Sequence, residues 1–118
     1  MTLEQLPLIM VRALLITVAV ECAVAWLLGV RTLRDQKVVV LANILTNPIL
    51  VSTEAAVLLL AGRQALLYAS VLLEILAISA EALVYRKRIH TNTGPLILSL
   101  VCNLASVATG EILERFIF

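Results

Sequence analysis

The chain alternates between long apolar runs and short polar connections. Four runs, at about 6–30, 38–61, 65–85 and 95–117, reach the roughly 20 mainly apolar residues that a bilayer crossing takes. Two basic stretches, 31–37 (RTLRDQK) and 86–94 (RKRIHTNTG), separate the first run from the second and the third from the fourth. A short turn over Gly62 to Gln64 joins the middle two and returns the third beside the second. This pattern predicts an all-α integral membrane protein with a single membrane domain over residues 1–118. Its four transmembrane helices would form an antiparallel bundle.

The polar residues inside the runs fall on defined faces. In the third run Glu74 and Glu81 are seven residues apart, nearly two full turns, so both lie on one face. In the first, Thr17, Glu21 and Ala25 share a face that is predicted to point inward. Arg12 is nine residues from Glu21, about half a turn out of phase, and is predicted to snorkel from the opposite side toward the nearer interface. In the second run Asn43, Asn47 and Glu54 form a stripe with Thr46 beside it. Pro48 removes a backbone donor and crowds the carbonyl of Ile44, which predicts a kink near the asparagines. That stripe reads either as a kink tied by side-chain hydrogen bonds or as a set of ligands. In the fourth run Ser99, Asn103, Ser106 and Gly110 make a small-polar face, and the Ser106–Gly110 spacing suits close helix approach. It reads as a packing seam or a pore lining.

A shift of 60 residues superposes Glu21 on Glu81, Asn43 on Asn103, Thr46 on Ser106 and Glu54 on Glu114 without a gap. These pairs suggest two parallel-repeat helix hairpins, related by an axis along the membrane normal. At about 1.5 Å per residue, Glu21, Asn43, Asn47, Glu81 and Asn103 fall at similar depth, with Glu74 deeper. Carboxylates gathered in hydrocarbon need protons or a cation among them. The candidate ligand- or ion-binding residues are therefore Glu81, Glu21, Glu74, Asn43, Asn47, Asn103 and Glu54, with no catalytic residue among them.

Composition sharpens this. Of the 118 residues 62% are apolar and 14% charged, far from the balance of a soluble domain, and the mean hydropathy is +1.07. A net charge of +1 provides no field for nucleic acid. Cys22 and Cys102 lie inside apolar runs without a CxxC and read as packing residues; His90, alone of its type, reads as a loop residue. No cofactor is expected. The first residues lack a basic stretch followed by a small-residue cleavage site and read as a retained first helix. The two basic loops hold Arg31, Arg34, Lys37, Arg86, Lys87 and Arg88, against Arg12, Arg63 and Arg115 on the other side. That bias places the loops in the cytoplasm and both termini outside. Trp26 and Tyr85 would mark the inner interface, and Tyr68, Phe116 and Phe118 the outer one.

Three functions suit this arrangement. The first is a transporter or channel unit for a cation, proton or small cationic solute, with the glutamates giving charge and the asparagines neutral oxygens. Oxygen ligands suit hard cations rather than zinc or copper, and four helices leave so little room for a pathway that a homo-oligomer is expected. The second is a non-catalytic subunit whose polar residues pair it with a partner membrane subunit. The third rests on a resemblance. Glu74-Ile75-Leu76, followed by Glu81-Ala82, Val84 and Arg86, resembles the EIL-x4-EA-x-V-x-R stretch of the small bacterial integral-membrane diacylglycerol kinases. In that family the glutamates belong to the metal, nucleotide and lipid site, so the resemblance implies a lipid kinase-like enzyme. It covers 13 residues, and the chain departs from it at Ala77 and Tyr85, where the family has Asn and Asp. Its polar loop is also shorter than the family's, and it has four apolar runs where the family has three spans. The expectation from the residues themselves is a protein that is not an enzyme.

Overall fold

The computed structural model describes residues 4–89 and 91–117. His90 and Phe118, and the roles expected of them, lie outside the described residues. The described chain folds as three helices, α1 (Leu6–Leu27), α2 (Leu33–Arg88) and α3 (Pro95–Phe116), all in contact with one another. Prolines stand in the first turns of α1 and α3, where a missing N–H costs nothing.

The count differs from the four helices expected because α2 takes in both middle runs. Straight, its 56 residues would extend about 84 Å at 1.5 Å per residue, twice the molecule's longest dimension of 42 Å. The chain doubles back at Gly62, where φ +88° and ψ 178° form a backbone region essentially reserved for glycine. One residue thus does what a turn over Gly62 to Gln64 was expected to do. Pro48 lies inside the first arm, and Gly62 is where the dihedrals leave the helical region.

The loop end also differs from the expected boundaries. α2 begins at Leu33 rather than 38, because Thr32 caps it by accepting a 3.1 Å hydrogen bond from the Asp35 amide. Its other end runs on to Arg88, with Arg86, Lys87 and Arg88 in the last turn, where cations offset the exposed carbonyls. α1 stops early, at Leu27, where its freed carbonyls find side chains. Thr93 Oγ1 donates to Leu28 O at 2.6 Å, and Gln36 Nε2 to Val30 O at 2.6 Å. Gly29 has φ +109°, and a Cβ there would meet Thr91 Oγ1 at 2.8 Å.

Burial is inverted relative to a water-soluble protein. At most 22% of the apolar window of any helix is buried, and Leu8, Leu15, Leu41, Leu60, Leu67 and Leu104 are among many large apolar side chains facing out. The buried set includes Glu21, Asp35, Asn43, Asn47, Glu81, Ser99, Asn103 and Ser106. All three helices are long and apolar enough to cross a membrane. The 42 Å length matches a bilayer with its interfacial regions, about 40–45 Å. Membrane helices with a polar interior and a lipid-facing apolar exterior account for both facts. The apolar core is confined to the loop end, where Ala25, Val30, Val39, Tyr85, Ile89, Leu98 and Cys102 pack together. Tyr85 is 1% exposed and belongs to that core rather than to the interface expected for it, whereas Trp26 is half exposed under the Arg31 guanidinium, 4.6 Å away.

Candidate functional site

Between this core and the Gly62 end the helices part around a cavity of about 330 Å³. Glu21, Asn43, Asn47, Glu54, Glu74, Glu81 and Asn103 all border it. Helix periodicity explains the convergence. Glu74 and Glu81 share a face of the second arm of α2, and Asn43, Asn47 and Glu54 share a face of the first. α1 contributes Thr17 and Glu21, and α3 contributes Asn103, Ser106 and Gly110.

At the deep end Glu21 and Glu81 are electrostatic neighbours, 0% and 1% exposed. Their surroundings differ. Asn103 Nδ2 lies 2.7 Å from Glu81 Oε2, and Thr46 Oγ1 lies 2.9 Å from Glu81 Oε1. Asn103 is itself positioned by donating to Ser99 O at 2.8 Å, and Ser99 Oγ ties the second arm of α2 to α3 by donating to Ile78 O at 2.7 Å. At Glu21 no donor reaches ordinary hydrogen-bond geometry at either carboxyl oxygen, and its contact with the Asn43 side-chain amide is a looser one. Its neighbour Asn43 donates to its own helix, at Val39 O, 2.8 Å away. Burying a polar group without a partner costs roughly 1–3 kcal/mol. Glu21 is therefore less satisfied than Glu81, and the Tyr85 hydroxyl, an electrostatic neighbour of both, is likewise buried without a partner.

One layer outward, Thr17 Oγ1 accepts from Asn47 Nδ2 at 3.3 Å and from Ser106 Oγ at 3.2 Å, which links α1 to both other helices. Asn47 Oδ1 has no partner. Beyond it stands Glu74, with Oε2 buried and unpartnered, in electrostatic reach of Glu54. Ala13, Ile16, Leu50 and Val107 supply apolar wall. At the mouth Arg12 donates to Glu114 Oε1 at 3.0 Å, and both side chains are partly exposed. Arg12 borders the same cavity as Glu21 although half a turn separates them, because its long side chain crosses to α3 at the mouth. Gly110 also opens onto the cavity, where a Cβ would meet nothing within 4 Å. The close approach expected from the Ser106–Gly110 spacing is thus not made at Gly110.

Among the described residues no three His, Cys, Asp or Glu side chains come together so as to hold a metal ion. The deep end presents carboxyl, amide and hydroxyl oxygens, a lining suited to a positively charged hydrogen-bond donor. No family model, curated protein or solved structure matches the chain.

Sequence reasoning found the carboxylates and asparagines because charged and amide side chains are rare inside apolar runs. It gave Thr17 no ligand role, yet Thr17 joins Asn47 to Ser106. Its place on the Glu21 face was the available signal.

Proposed function

We propose that this chain is a membrane transport unit for small cationic solutes, built as a four-span bundle with two related helix hairpins. The observation that carries the reading is Glu21: wholly buried, bordering a cavity, and with both carboxyl oxygens unpartnered. An intramembrane carboxyl is expensive, and one with only the loose Asn43 amide contact beside it fits a group kept open for a cation or proton. The repeat is supported by matching local contacts. Asn43 and Asn103 each donate to the carbonyl four residues back, and each lies beside the deep glutamate of its own hairpin. Arg31, Arg34, Lys37, Arg86, Lys87 and Arg88 favour a cytoplasmic loop end, with both termini and the cavity mouth outside. A homo-oligomer would shield the partly exposed mouth.

Hydrogen counting at Thr46 adds support. Its single hydroxyl hydrogen faces two acceptors, Ala42 O and Glu81 Oε1, both at 2.9 Å. A neutral Glu81 supplies the missing hydrogen, leaving Glu21 as the carboxyl that meets the solute. The alternative of a non-catalytic subunit would use these polar groups to bind a partner chain. Thr46, Ser99, Asn103 and Ser106 instead have partners within this chain. The kinase-like reading draws only on the 13-residue resemblance.

Proteoliposomes test the reading through proton flux, followed with an internal pH dye, and uptake of labelled methylammonium. Wild-type flux that falls about tenfold or more in Glu21→Gln and is largely kept in Glu81→Gln, where an amide replaces a neutral carboxyl, supports it. A loss of about tenfold in Glu81→Gln with flux kept in Glu21→Gln reverses the two roles, and no flux of either kind in the wild type counts against transport.

A further inference from the structure

Two carboxyl groups with unpartnered buried oxygens border the cavity, and they stand at different depths. Glu21 lies level with Glu81, its electrostatic neighbour, while Glu74 is one seven-residue step from Glu81 toward the mouth. Seven residues of helix advance about 10 Å. Between the two levels the wall mixes apolar surface from Ile16 and Ala77 with the Thr17 hydroxyl. Among the described residues no Phe, Tyr or Trp borders the cavity, and none of them forms the aromatic cage that recognises quaternary ammonium groups. Primary and secondary ammonium groups donate hydrogen bonds, and carboxylates accept them. The cavity volume is at the small end of ligand pockets, about 300–1,000 Å³, so it suits a slender molecule.

We infer that the cavity binds a linear aliphatic diamine or polyamine lengthwise, one ammonium group on Glu21 and a second on Glu74, with the connecting methylenes along the wall between them. This rests on the transport reading above and names its class of solute. A monoamine would satisfy Glu21 and leave Glu74 unpartnered. A bulky quaternary ammonium ion would find neither an aromatic face nor a use for the acceptor oxygens.

Isothermal titration of the full chain in detergent micelles, with spermidine, n-butylamine and tetramethylammonium as probes, tests it. Spermidine is expected to bind about tenfold or more tighter than n-butylamine, as one added charge-assisted contact implies. Tetramethylammonium should show no measurable binding. Glu74→Gln should bring spermidine down to the n-butylamine level and leave n-butylamine unchanged, while Glu21→Gln should weaken both. Equal affinity for spermidine and n-butylamine in the wild type overturns the two-point inference and leaves a one-carboxylate cation site standing. Absence of binding by all three overturns the inference, and proteoliposome flux then decides separately whether the transport reading survives. The wild-type ligand series needs no substitution to be tolerated, so a variant that misfolds does not block the test.

Discussion

The two ends of this bundle are built on opposite principles. At the loop end Ala25, Val30, Val39, Leu98 and Cys102 pack into an apolar core, and the Leu28 and Val30 carbonyls just past α1 are taken up by Thr93 and Gln36. Toward the Gly62 end the same helices part around a hollow with carboxyl groups at several depths, and its mouth is held by an exposed ion pair. Glu21 and Glu81 lie at the boundary, equally buried and unequally partnered. The contrast teaches that polarity inside a membrane bundle is not uniform in meaning. Glu81 is held by Asn103 and Thr46, whereas Glu21 borders the hollow with only a loose contact to Asn43; in the proposed reading the first is framework and the second is site.

Substitutions can break this contrast at three places. The largest effect is expected at the packed end. Leu98→Ala removes a wholly buried side chain and should lower unfolding stability in detergent by about 2–5 kcal/mol, read from the shift of the thermal or denaturant transition. A shift below about 1 kcal/mol would mean that the loop end is not the rigid part. At the boundary, Asn103→Leu takes the donor from Glu81 Oε2 and should cost about 1–3 kcal/mol. Glu21→Leu, which replaces an unpartnered carboxyl with an apolar side chain of similar size, should leave stability unchanged or raise it while abolishing amine binding. If both boundary variants destabilise alike, the proposed division between framework and site is wrong. The smallest effect is expected at the mouth. Glu114→Gln breaks a pair whose side chains are 35% and 61% exposed, and such pairs are worth about 0–1 kcal/mol, less in high salt.

Much of the arrangement was already legible along the chain. Apolar runs of bilayer length separated by polar breaks determined that the fold is helical and suited to a membrane. The seven-residue and four-residue spacings placed Glu74 with Glu81 and Asn43 with Asn47 on common faces, because an α-helix turns by a fixed angle per residue. Depth counting brought Glu21, Glu81 and Asn103 to one level because straight helices of similar length fill the same slab.

Tertiary structure decided what distance along the chain cannot carry. Thr46 meets Glu81 across 35 positions, and Ser106 meets Thr17 across 89. Which carboxyl would be held and which left open depends on those meetings, and therefore on how the helices rotate about their axes. The merging of the two middle runs through Gly62 was set by one residue's backbone angles, which only glycine adopts readily. Tyr85 went into the core instead of the interface because α1 and α3 cover its face of α2, bringing Ala25, Leu98 and Cys102 into the same cluster. Local periodicity fixes which faces are polar. Only the packing of those faces against one another decides whether a polar group becomes framework or site.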